Sequence, residues 1–127
     1  MKSIFLFFIA LFLLTNNSQA QFTRYLVKLK NKGGNSFTLA NPAAYLSQRA
    51  IDRRTRYGIA IDSTDLPVTT AYITALRSIP NVTVLNISKW LNSVSVQTSD
   101  ANAITAINAL PFVLNVSGLA ARAVANN

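Results

Sequence analysis

The chain has 127 residues, half of them apolar, with twelve Lys and Arg against four Asp and Glu, and neither cysteine nor histidine. That composition excludes disulfide staples, thiolate or imidazole metal sites, thiol nucleophiles and any Ser-His-Asp triad. The acidic residues are Asp52, Asp62, Asp65 and Asp100, which leaves little for paired-carboxylate acid–base chemistry.

Residues 1–20 read as an export leader. Met1-Lys2-Ser3 is a short basic start, Ile4 to Leu14 is an unbroken apolar run, and Ser18-Gln19-Ala20 offers small residues to a signal peptidase. The run is too short to cross about 30 Å of hydrocarbon as a permanent helix. Cleavage between Ala20 and Gln21 is therefore expected, with no membrane attachment afterwards and a secreted, periplasmic or extracellular destination. The remaining 107 residues carry eleven Lys and Arg against four Asp, a net charge of +7. A balance of that kind suits an acidic partner or a solvated face. The expected organisation is a leader over 1–20, one domain over 21–116 and a tail over 117–127.

Arg24-Tyr25-Leu26-Val27-Lys28-Leu29-Lys30 alternates with period two, placing Tyr25, Val27 and Leu29 on a core side. Asn31 to Asn35, with Gly33-Gly34, reads as a turn. Asn41-Pro42 reads as a cap and first position for a helix over Pro42–Tyr57 stopped by Gly58. Its apolar stripe (Leu46, Ala50, Tyr57) is thin beside Arg49, Asp52, Arg53, Arg54 and Arg56, which predicts a surface helix. Asp62 to Val68 reads as a loop. A second helix is expected over Thr70–Ile79, capped by Thr69, with Ile73, Leu76 and Ile79 at helical spacing.

Val82 to Ile87 is apolar and β-branched, and Ser88 to Gln97 alternates, with Trp90, Val94 and Val96 on one side. The pair predicts the centre of an antiparallel sheet with the lone tryptophan packed beneath it. Thr98 or Ser99 would cap a third helix with Asp100 in its first turn, and Ala103, Ile104, Ile107 and Leu110 would face the core. Phe112 to Val116 reads as the last strand.

Apart from the charged helix, the order is strand, helix, strand, strand, helix, strand. Right-handed crossovers then favour an α+β, ferredoxin-like arrangement: a four-stranded antiparallel sheet with two helices on one face. The opposite face is left uncovered, carrying Leu26, Leu91, Ser93, Ser95 and residues of the Val82 strand. A bare sheet face with apolar groups marks a binding surface.

No cofactor or metal is expected. Asp62 and Asp65 read as turn formers rather than a cation chelate, Gly33-Gly34 lacks the strand-to-helix setting of a phosphate loop, and Arg53-Arg54-Thr55-Arg56 reads as a solvated helix face. A nucleic-acid module of this fold would stack bases on sheet aromatics, whereas Tyr25 and Trp90 fall on the side assigned to the core. A small enzyme is disfavoured by the missing His, Cys and Glu.

Four ordered blocks carry a family resemblance: Tyr25 to Lys30; Leu46-Ser47-Gln48-Arg49-Ala50-Ile51-Asp52-Arg53-Arg54; Asp62 to Val68; and Trp90 to Val96 with Leu110-Pro111-Phe112-Val113 behind it. With them the chain resembles the N-terminal propeptides of bacterial secreted subtilisin-like serine peptidases. The resemblance implies the ferredoxin-like fold and no catalytic residues of the domain's own. It implies a role as intramolecular chaperone and temporary inhibitor of a catalytic domain, in cis or in trans. On that reading the sheet face with Leu26, Leu91, Ser93 and Ser95 docks on the peptidase. Gly118, Leu119, Ala120 and Ala121 then lie in its cleft like a product. Family members continue into a catalytic domain, so a fragment, a truncated precursor or a free-standing inhibitor is expected; an exported scaffold domain is the alternative outside this family.

Overall fold

The computed structural model describes residues 23–120. The leader, with its expected cleavage between Ala20 and Gln21, lies outside the described residues, as does the chain from Ala121 onward. Within them, β1 (Arg24–Leu29), β2 (Thr83–Ser88), β3 (Ser93–Gln97) and β4 (Val113–Gly118) form one antiparallel sheet in the order β2-β3-β1-β4. Helix α1 (Gln48–Tyr57) and helix α2 (Thr70–Arg77) lie between β1 and β2, and helix α3 (Ala101–Ala109) lies between β3 and β4. Setting α1 aside, this is the expected ferredoxin-like βαββαβ order.

The core follows from two periodicities meeting. Val27 and Leu29 of β1, Val94 and Val96 of β3 and Val113 of β4 meet Ile73 and Leu76 of α2 and Ile107 of α3. Each such aliphatic side chain taken out of water contributes roughly 1.5–3 kcal/mol. Ile104, Leu110 and Tyr25 pack against the margin of this cluster, as do Tyr72 and Phe112, whose rings stack with centroids 4.1 Å apart.

Several expected boundaries move for local reasons. The strand predicted from Ser88 is two pieces: β2 ends there, Lys89 to Asn92 turn, and β3 starts at Ser93. Asn92 makes the turn, at φ +47°, a conformation asparagine tolerates better than most residues. Its amide Nδ2 donates to the carbonyls of Leu29 (3.2 Å) and Asn31 (3.1 Å), pinning the hairpin to the end of β1. Trp90 is consequently not beneath the sheet but on this turn, 60 % exposed. Of the two aromatics assigned to the core side, Tyr25 packs against the core and Trp90 does not.

The helix predicted over Pro42–Tyr57 is also divided. Pro42–Ala44 forms a single 3-10 turn whose cap position, Asn41, makes no side-chain bond. The chain then extends at Ser47 (ψ 153°), whose hydroxyl accepts from Ala50 N and starts α1 afresh. Gly58 stops α1 as expected, at φ +62°. Tyr57 is exposed rather than part of a buried stripe, while Leu46 is buried. Thr69 precedes α2 but makes no side-chain cap bond; its hydroxyl instead donates to the Gly33 carbonyl at 3.1 Å. Asp100, not Thr98 or Ser99, caps α3 by accepting from Asn102 N, and Thr98 Oγ1 accepts from Asp100 N. Strand β4 runs on to Gly118, so Ser117 and Gly118 belong to the sheet rather than to a tail.

Candidate functional site

Register defines the face that the helices do not cover. Val94 opposes Val27 and Ile87 on the core side, so the alternate residues look the other way. These are Leu26 and Lys28 of β1, Ser93 and Ser95 of β3, with Asn115 and Ser117 of β4 paired beyond β1. Helix α1 does not lie across them: its principal contact among the elements is with the 3-10 turn. Arg54 of α1 pairs instead with Asp65 in the loop that leads into α2.

Both edge strands carry a bulge. In β2 the register slips between Val84 and Asn86, leaving Leu85 as the extra residue; in β4 it slips at Lys28/Leu29, leaving Leu114. A bulge sets two consecutive residues opposite one partner and breaks the strict alternation. Leu85 thereby joins Asn86 opposite Ser95, and Leu114 joins Asn115 opposite Lys28. Leu85 is 44 % exposed and Leu114 57 % exposed. Half-buried Leu26 lies on β1, between these two edge strands.

The sequence-predicted face residues are thus placed unequally. Leu26 and Ser95 lie at its centre and are partly accessible. Ser93 is on the same side but 2 % exposed, and its Oγ has no hydrogen-bond partner among the described residues. Leu91 is not on a strand; it stands on the β2–β3 turn, exposed at one end of the sheet. Leu85 and Leu114 were not singled out in the sequence. The available signal was adjacent apolar residues, Val84-Leu85 and Val113-Leu114, where alternation demands one.

The face is cationic at its margins. Arg24 and Lys28 project from β1 and are exposed. The chain's carboxylates are all elsewhere and occupied. Asp52 accepts from Gln48, Asp62 from Thr64, Asp65 from Arg54 and the Asp62 N–H, and Asp100 from Asn81 and Asn102. Asp62 and Asp65 are accordingly turn formers, and Arg54 of the basic run is an internal tie rather than part of a solvated face.

At the opposite end of the sheet from the Leu91 turn, Gly118 pairs with Tyr25 and Leu119 N donates to Arg24 O at 2.8 Å. Of the four residues expected in a partner's cleft, Gly118 and Leu119 therefore continue the β4 edge. Ala120 follows them and is exposed, and Ala121 lies outside the described residues.

A family model for the peptidase S8 propeptide domain of Bacteroidota matches residues 24–127, a span that begins with β1 and takes in every strand and helix described above. The chain belongs to this family. No curated protein and no solved structure gave a match. An S8 propeptide is not itself the catalytic domain, and its family implies association with a subtilisin-like one.

Proposed function

We propose that this S8 propeptide acts as intramolecular chaperone and temporary inhibitor of a secreted subtilisin-like serine endopeptidase. The observation that carries the reading is a sheet face that none of the described elements covers, with Leu26 on it and exposed Leu85 and Leu114 at its bulged edges, in a domain of this family. These leucines dock on the catalytic domain; partly accessible Ser95 faces the contact, while Ser93 is buried behind it. Gly118 closes β4, and the chain it leads into, Leu119 to Ala121, follows the active-site cleft, adding itself as a strand to the cleft edge. Leu91, on the end turn, makes a rim contact.

Binding native enzyme but not its unfolded chain stabilises the former by mass action, which accounts for chaperone and inhibitor in one contact. Export fits the basic, apolar, small-residue pattern of residues 1–20, with cleavage between Ala20 and Gln21. The purified chain, added to a cognate subtilisin-like peptidase, is expected to suppress turnover stoichiometrically until it is itself cleaved, and to accelerate refolding of acid-denatured enzyme. Absence of both effects would remove the proposal.

A further inference from the structure

At the end of the sheet away from the β4 exit, three segments meet around an open cleft of about 470 Å³: the residues after β1, the loop at Ser63 to Leu66, and the β2–β3 turn. We propose that this cleft, bounded by Lys32, Lys89 and Trp90, binds an acidic peptide segment, seating a carboxylate between the two ammonium groups and an aliphatic side chain against the indole.

Lys32 is held in position. Its Nζ donates to the carbonyls of Thr64 (2.8 Å) and Leu66 (2.5 Å), which uses two of its three N–H groups and leaves one for a ligand. Lys89 stands with Nζ 4.6 Å from the centroid of the Trp90 ring. Two ammonium groups sharing one cleft repel each other, and an anion between them relieves that repulsion. Burial, and next the charge of Lys89, push the Lys32 ammonium below the ordinary lysine value, opposed more weakly by Asp65 and Asp62. Asp62 and Asp65 offset part of this charge, but Asp65 is already paired with Arg54, so the cleft keeps a net positive charge that a ligand carboxylate would neutralise.

The walls select the kind of anion. Trp90 and Leu66 make much of the lining apolar, and the volume far exceeds a bare oxyanion. A peptide with an acidic residue beside an aliphatic one satisfies both. RNA suits the site less well: Trp90 is the one aromatic side chain in the lining, and successive stacking platforms, which single-stranded nucleic acid uses, are absent from it.

Trp90 is the only tryptophan in the chain, so its emission reports the cleft directly. The chain is titrated with a blocked six-residue peptide alternating glutamate and leucine, with its glutamine counterpart, with inorganic phosphate and with a single-stranded RNA oligonucleotide. A saturable emission change is expected with the glutamate peptide, about tenfold weaker with the glutamine peptide, as losing a charge-assisted bond implies. Lys89→Gln, which removes the ammonium standing over the indole, should weaken binding about tenfold. Arg49→Gln on α1, which removes the same charge elsewhere, should leave it unchanged.

Equal response to both peptides, tighter binding of phosphate or RNA, unchanged affinity in Lys89→Gln, or no response would each overturn the assignment. Peptidase inhibition is read in a separate assay, so this inference and the docking of the sheet can fail independently.

Discussion

Asp65 shows how much one side chain decides here. It is 1 % exposed, pairs with Arg54 of α1 and accepts from the Asp62 N–H at 3.3 Å, while Arg54 also reaches the Ala60 carbonyl. A charged helix with almost no apolar stripe is thereby fastened to the loop that begins α2. Removing one member of a buried pair strands the other charge, so Arg54→Met is expected to cost about 3 kcal/mol. Arg54→Met combined with Asp65→Leu should recover part of that loss, since no buried charge is left unpaired. Urea denaturation of both variants checks this; an Arg54→Met midpoint equal to the parent's would show the pair to be idle. In the sequence Arg54 was indistinguishable from Arg53 and Arg56, because which guanidinium meets a carboxylate depends on a loop eleven residues away. Trp90 failed for the opposite reason. Its position in an alternating run was real, but Asn92 two residues later adopts positive φ and turns the run into a hairpin.

The elements were legible wherever periodicity and composition agreed. Strand β1, the stripe of α2 and the stop at Gly58 fall where alternation, helical spacing and a glycine at φ +62° put them. Boundaries set by competition between capping groups were not legible. Asn41-Pro42 and Ser47-Gln48 are both good starts, and the chain uses the first for a 3-10 turn and the second for α1. At α3, Asp100 outcompetes Thr98 because its carboxylate reaches Asn102 N while Thr98 braces the Asp100 N–H. The Asn81 amide first, and the Asn102 N–H second, hold the Asp100 carboxyl below the ordinary aspartate value of 3.8; the Thr64 hydroxyl does the same for Asp62. A carboxyl with a folded pKa below its unfolded one favours the folded state above the unfolded value, and that contribution is lost as pH falls through the folded value. Stability should therefore hold from neutral pH down to about 4 and then decline. Unfolding midpoints between pH 6 and pH 2 should fall less steeply in Asp100→Asn; superimposable curves would mean the cap carries no pH dependence.

For the molecule as a whole, the two bulges bear most on the proposed docking. Each interrupts an edge strand, which discourages pairing with other chains, and each adds a leucine to the uncovered face. Leu85→Asp and Leu114→Asp together should shift the unfolding midpoint of the free chain only modestly, because about half of each residue is already in water. The same pair should weaken peptidase inhibition at least about 100-fold, since two apolar contacts are replaced by desolvated charges. Inhibition undiminished in this variant, with folding intact, would move the docking surface off the sheet.

Residue order alone determined the βαββαβ succession, the core stripes and the family likeness. Period-two and helical repeats are local, and burying them on a single sheet leaves few arrangements. The tertiary structure decided which residues stand at the open face and which leave it. Bulges, a left-handed asparagine and one ion pair depend on groups distant along the chain, and they moved Trp90 and Leu91 to a turn, Leu85 and Leu114 to the open face, and Gly118 into the sheet.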